Sequence, residues 1–132
     1  MNRRRQLLAI ALGGALGATM RIALTQVFPV GDGMPWTTLA INVAGAFLLG
    51  IAATLTAGDD PLEGWRLPLV GTGFCGALTT FSGLCLESLE LADRGSSGLA
   101  VQYLSLSLVA GIGAALVGVR IASRSTQAGA KQ

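Results

Sequence analysis

Apolar residues occupy this chain in four long blocks: Leu7 to Phe28, Thr38 to Ala57, Leu67 to Leu91, and Leu99 to Ala122. Each is long enough for the about 20 residues that an α-helix needs to cross a bilayer. The pattern predicts an all-α integral membrane protein. Residues 1–132 form a single four-helix membrane domain, with spans near 7–28, 38–57, 67–91 and 99–122. The connections are short and rich in turn formers: Pro29 to Pro35, then Gly58, Asp59, Asp60 and Pro61 with Glu63 and Gly64, then Asp93 to Gly98. They leave no room for a soluble domain. Arg3 to Arg5 before an apolar run resembles the start of a signal peptide, but the run continues to Phe28 and three further spans follow, so the first block is read as a span.

The third block differs from the others. From Gly73 to Gly83 it carries glycines at 73, 76 and 83 and hydroxyls at Thr79, Thr80 and Ser82, which makes it a poor helix in mid-membrane. Lipid penalises an unpaired backbone group by several kcal/mol. An interruption there is expected only where protein packs around it or where it lines a polar path.

Composition narrows the function. Of 132 residues, 52% are hydrophobic and 12% charged, which argues against a soluble single-core domain. There is no histidine, so the commonest general base and metal ligand is missing. Cys75 and Cys85 lie ten residues apart within one span; they make neither a metal spacing nor a disulfide framework and read as small packing residues. Asp32, Asp59, Asp60, Glu63 and Asp93 fall in connections, while Glu87 and Glu90 lie toward the end of span three. No carboxylate pair or activated nucleophile emerges, and the chain is not expected to be an enzyme. The glycines at 13, 14 and 17 follow no strand, so they are not a dinucleotide fingerprint. The basic excess is small and terminal, which excludes nucleic acid as the expected partner.

Helix packing accounts for many glycines. Gly13 and Gly17 make a GxxxG pair, and Ser107, Gly111, Ala115 and Gly118 give span four a small-residue stripe. Four such helices hardly enclose a pathway alone, so a homo-oligomer in lipid is expected. Thr38 and Asn42 share one face of span two, as Tyr103 and Ser107 do in span four. A membrane asparagine often serves as interhelical glue, worth about 1 kcal/mol or less. Beside an interrupted span, however, an amide, several hydroxyls and phenylalanine ring edges form a set of donors without fixed positive charge. That environment suits a small anion.

At these residues the sequence resembles the Fluc (CrcB-type) fluoride channels. The matching pieces are Gly13 to Arg21 in span one, Thr38 to Gly50 in span two, Gly73 to Ser82 with Glu87 in span three, and Tyr103 with Ser107 in span four. The run Thr79-Thr80-Phe81-Ser82 after a glycine-rich lead is the most specific of them. The resemblance implies a dual-topology homodimer in the bacterial cytoplasmic (inner) membrane, with two antiparallel subunits, two narrow pores, and passive fluoride export that relieves fluoride toxicity. It implies Asn42 as a pore-lining donor and Phe81 as an aromatic contact for the ion. It further implies a sodium ion at the dimer centre, held by the backbone carbonyls of Gly76 and Thr79. Thr38, Tyr103, Ser107 and Glu87 correspond to a polar track, in which Glu87 either gates or relays the ion or simply faces an aqueous vestibule. Arg21 matches a vestibule arginine, which attracts anions or snorkels to headgroups.

Three departures from the family pattern involve four positions. Leu84 stands where a second phenylalanine is expected, Thr37 where a glycine usually precedes the span-two threonine, and Gly111 and Ala115 where further hydroxyls would follow Ser107. The basic residues also sit unevenly: seven (Arg3, Arg4, Arg5, Arg66, Arg120, Arg124, Lys131) share one side and two (Arg21, Arg94) the other. The positive-inside rule then favours cytoplasmic termini, whereas a chain inserting both ways should be nearly balanced. The alternative reading, a small four-span antiparallel-dimer exporter of drugs or cations, wants a membrane carboxylate in span one, where there is none. A noncatalytic assembly subunit would explain the small-residue stripes but not the polar third span.

Overall fold

The computed structural model describes residues 3–29, 31–58 and 64–129; Val30, Asp59, Asp60, Pro61, Glu63 and Lys131, used in the sequence reading, lie outside the described residues. Helix α1 spans Arg3–Val27 and α2 spans Trp36–Leu55. A π-helical segment, π1, runs Leu67–Cys75 and passes into a single turn, α3, at Gly76–Leu78; α4 is Phe81–Asp93 and α5 is Ser97–Gly129. Among the described residues, four stretches are long and apolar enough to cross a membrane: Arg3–Val27, Trp36–Leu55, Leu67–Asp93 and Ser97–Thr126.

The first and last helices outrun their apolar blocks. Helix α5 continues past Ala122 through Ser123, Arg124 and Ser125 as far as Gly129, because residues 123–128 contain no proline or glycine to stop a helix entering water. Between α4 and α5 the chain reverses at Gly95, which has φ +81°. The Ser96 N–H donates to the Leu91 carbonyl and the Gly95 N–H to the Ala92 carbonyl, both at 2.9 Å. These are the paired bonds of a Schellman motif, with glycine at its left-handed position.

Two close helix contacts hold the spans together. Helix α1 lies against π1 so tightly that a Cβ at Gly13 would overlap the Leu69 carbonyl oxygen, one at Gly17 the Phe74 carbonyl oxygen, and one at Gly73 would stand 2.6 Å from the Ile10 carbonyl oxygen. Helices α2 and α5 meet at Gly50 against the Ala115 carbonyl and at Gly118 against the Phe47 carbonyl. Without a hydrophobic drive in lipid, such backbone approach is what brings dispersion forces to bear. The GxxxG reading therefore holds for Gly13 and Gly17, and the span-four stripe packs at Ala115 and Gly118. Gly111 differs: nothing lies within 4 Å of where its Cβ would be.

The buried core is small: Leu39, Leu84, Leu91, Ala100 and Tyr103 cluster where α2, α4 and α5 converge. Most large apolar side chains face outward, among them Leu8, Leu12, Leu16, Val109 and Leu108. A water-soluble monomer rarely exposes so continuous an apolar surface.

Candidate functional site

The chemistry of the third span is set by two residues with extended backbone. Thr79 (φ −76°, ψ 155°) and Thr80 (φ −146°, ψ 115°) separate the helical turn ending at Leu78 from α4. Adjacent β-branched residues favour this geometry. Thr80 then caps α4, accepting the Gly83 N–H at Oγ1 at 3.0 Å. The Thr79 N–H and hydroxyl both donate to the Cys75 carbonyl, at 3.0 and 2.8 Å.

Side chains from the two preceding helices reach this interruption. Asn42 in α2 donates through Nδ2 to the Thr80 carbonyl at 3.1 Å and accepts the Thr80 N–H at Oδ1 at 2.8 Å. Arg21 in α1 donates through Nε to the Ala77 carbonyl at 3.0 Å. Positive charge is favourable at that C-terminal end of a helical segment. In a continuous helix the Thr80 N–H would bond the Gly76 carbonyl and the Gly83 N–H the Thr79 carbonyl; both donors are directed elsewhere. The carbonyls of Gly76 and Thr79 are thus among those released from helical pairing at the end of this turn. Hard carbonyl oxygens suit a hard cation such as sodium, so the residues present fit that group.

A cavity of about 300 Å³ opens beside the interruption, and Asn42, Gly76, Thr79, Thr80, Phe81 and Leu84 are among its walls. Phe81, at the first position of α4, is 78% exposed, and Gly76 is exposed as well. Leu84 turns inward to the core beside Tyr103, so the position of the missing aromatic is filled by an aliphatic side chain that also contributes to the cavity wall.

A second polar group lies along α2, α4 and α5. Glu87 accepts at Oε1 from the Thr38 hydroxyl and at Oε2 from the Tyr103 hydroxyl, each at 2.5 Å. Thr38 and Tyr103 are buried at 3% and 0% exposure. One turn beyond Tyr103, the Ser107 hydroxyl is buried without a hydrogen-bond partner. Glu87 also borders a polar cavity of about 80 Å³ with Glu90, Arg94, Gly31 and Gly33. Arg94 and Asp32 pair there at 3.4 Å across an exposed surface, a contact of little energetic weight. Thr38, Glu87 and Tyr103 are therefore brought into one hydrogen-bonded group, Ser107 continues its line along α5, and Asn42 and Phe81 belong to the neighbouring cavity. Arg21 is anchored at the interruption rather than extended toward headgroups.

Ala77 completes the site without having been singled out in the sequence, and Thr80, read there as one of the hydroxyls interrupting span three, gains a role as the backbone partner of Asn42. Thr80 presents a readable signal as a hydroxyl before a helical run; Ala77 contributes only a carbonyl.

Residues 8–119 match the model of the family described as CrcB-like protein, Camphor Resistance (CrcB). The chain belongs to the CrcB-like family. Its relatives include the fluoride-specific ion channel FluC 1 of Mycobacterium bovis, 43% identical over 82% of this chain and 83% of that one. The fluoride-specific ion channel FluC of Acidobacterium capsulatum is 44% identical over 87% and 94%, and that of Methanopyrus kandleri 40% identical over 89% of each. The CrcB-like match runs from the start of α1 to the latter half of α5, so it takes in every residue of both polar groups. With four helices able to span a bilayer and relatives that are channels, the chain is an integral membrane protein.

Proposed function

We propose that this chain forms a fluoride-selective ion channel that exports fluoride passively and so limits its toxicity. The chain is not an enzyme: the relatives named above are ion channels, and the polar groups here are donors and acceptors rather than a nucleophile with a base. The observation that carries the reading is that the neutral side chains of Asn42, Thr79 and Thr80 share one cavity with the aromatic side chain of Phe81 at the interrupted third span, in a family whose relatives are named fluoride channels. Fluoride holds its water more strongly than the larger halides, and dense hydrogen-bond donors replace that water best. Asn42 and Phe81 line the path near the membrane centre, with Leu84 beside them. Thr38, Tyr103, Ser107 and Glu87 make a track toward the aqueous side, and Arg21 draws anions to the vestibule.

The working unit is an antiparallel, dual-topology homodimer in the bacterial cytoplasmic membrane, built from one four-helix domain per subunit with its third span broken in mid-membrane. Support comes from the open side of the cavity and the 78% exposure of Phe81, which a second copy would cover. Sodium at the dimer centre would be held by the Gly76 and Thr79 carbonyls, two from each subunit. When bound, it supplies positive charge that offsets backbone oxygens released from helical bonding.

The test is ion efflux from liposomes. Purified dimer reconstituted with internal fluoride should release it, and with internal chloride should not; ion-selective electrodes report both. Intact fluoride gradients across vesicles containing demonstrably dimeric protein would sink the channel reading.

A further inference from the structure

At the two extended residues of the third span, α2 supplies the side-chain amide of Asn42, and that hydrogen-bonded contact is reciprocal. Asn42 gives an N–H to the Thr80 carbonyl and takes the Thr80 N–H at its own oxygen, at 3.1 and 2.8 Å. A side-chain amide has the donor and acceptor of a peptide group, so Asn42 stands in for the carbonyl that the Thr80 N–H would meet in a helix, while its Nδ2 adds a donor to the Thr80 carbonyl that opens α4. The Thr80 N–H is the hydrogen that would otherwise close on the Gly76 oxygen four residues back. On either side of Gly76 the carbonyls are engaged: that of Cys75 by the Thr79 N–H and hydroxyl, that of Ala77 by Arg21. The Gly76 oxygen lies between them with its helical donor drawn off, on an exposed residue beside the same cavity that Asn42 lines.

We infer that Asn42 is the positioning residue of the cation site: by holding the Thr80 N–H it keeps the Gly76 carbonyl oxygen free for sodium, and it thereby couples α2 to the ion at the dimer centre. The inference rests on the sodium reading above and adds to it a determinant outside the third span. Ordinary interhelical glue would bind either backbone group of Thr80 with no effect on Gly76; taking the N–H is what matters. The amide carries a second N–H, so holding Thr80 is compatible with donating into the cavity as well.

The experiment measures the unfolding midpoint of the purified dimer as sodium replaces N-methyl-D-glucamine, alongside fluoride efflux from liposomes. Wild type should be stabilised by sodium. In Asn42→Leu, which offers the Thr80 N–H no acceptor, the sodium needed for half-maximal stabilisation should rise about tenfold or more, the factor a lost hydrogen bond of this kind is worth. Asn42→Asp keeps an acceptor for that N–H and should keep its sodium requirement within about threefold of wild type. The same variant should lose most fluoride efflux, because a negative acceptor replaces the donors facing the anion. Wild-type sodium dependence in Asn42→Leu would overturn the inference and leave the cation reading standing. Should Asn42→Leu fail to assemble, Asn42→Asp decides alone: retained sodium dependence with lost efflux supports the inference, and lost sodium dependence in a dimeric preparation overturns it. A wild-type midpoint indifferent to sodium removes the cation reading and this inference together, while efflux still judges the channel separately.

Discussion

The guanidinium of Arg21 in α1 donates through Nε to the carbonyl oxygen of Ala77 at 3.0 Å, joining the first span to the end of the helical turn at the interruption. A charge-assisted bond to a partly buried carbonyl contributes about 1.5–3 kcal/mol. Arg21→Gln should therefore lower the unfolding midpoint of the purified protein, and Arg21→Lys should recover only part of it, since an ammonium lacks the planar Nε donor. Scanning fluorimetry is sufficient; an unchanged midpoint in Arg21→Gln would mean that the contact carries no weight.

Glu87 is gripped from two sides, by Thr38 and by Tyr103. Removing one hydroxyl, in Thr38→Val or Tyr103→Phe, leaves one carboxyl oxygen of the partly buried Glu87 without its partner and should cost about 1 kcal/mol of stability. Because both hydroxyls fix a single side chain, the double variant should depart from additivity by about 0.5–3 kcal/mol. Strict additivity in equilibrium unfolding would show that the two bonds act independently. Fluoride efflux should fall in both single variants if this group lies on the ion's track.

The glycines of α5 should separate into two classes. A Cβ at Gly118 would run into the Phe47 carbonyl, so Gly118→Ala must push α2 and α5 apart and should reduce the yield of folded protein sharply. Gly111 has open space at that position, and Gly111→Ala should leave folding intact or add up to about 1 kcal/mol through helix propensity. Size-exclusion profiles and thermal unfolding of the two variants, measured side by side, check the contrast. Equal damage from both would place Gly111 against another subunit.

The uneven basic residues bear on insertion. Seven lie on the side of the termini by the sequence count and two on the other, yet an antiparallel dimer needs both orientations. A cysteine introduced near the N-terminus should be labelled by impermeant thiol reagents from both faces of the membrane in intact cells and inverted vesicles. Labelling from one face only would contradict the dual-topology dimer.

Much of this was legible in the sequence because lipid makes hydropathy a direct signal of spans. Leu7 to Phe28 and Thr38 to Ala57 correspond closely to α1 and α2. Small residues at Gly13, Gly17 and Gly118 pointed to close backbone contacts, and the hydroxyl cluster at Thr79 and Thr80 pointed to non-helical backbone. What remained hidden was partnership. Spacing placed Thr38 and Tyr103 on their own helices but did not say that both would meet Glu87, since the meeting depends on how α2, α4 and α5 cross. Ala77 and Gly76 act through oxygens that every residue has. Gly111 carried the same signature as Gly118, and only the crossing point of two helices separates them.

The π-helical segment Leu67–Cys75 also limits how the gene can vary. Its cap closes with the Gly76 N–H on the Gly71 carbonyl, five residues back, one more than an α-helix uses. Deleting a single residue between those positions would let the segment relax toward α-helix and turn everything after it by roughly 100°. Arg21 and Asn42 would then meet the wrong faces of the third span. Away from the tightly packed Gly71 and Gly73, substitutions in this stretch can drift one at a time, but its length cannot, so insertions and deletions should be excluded from it.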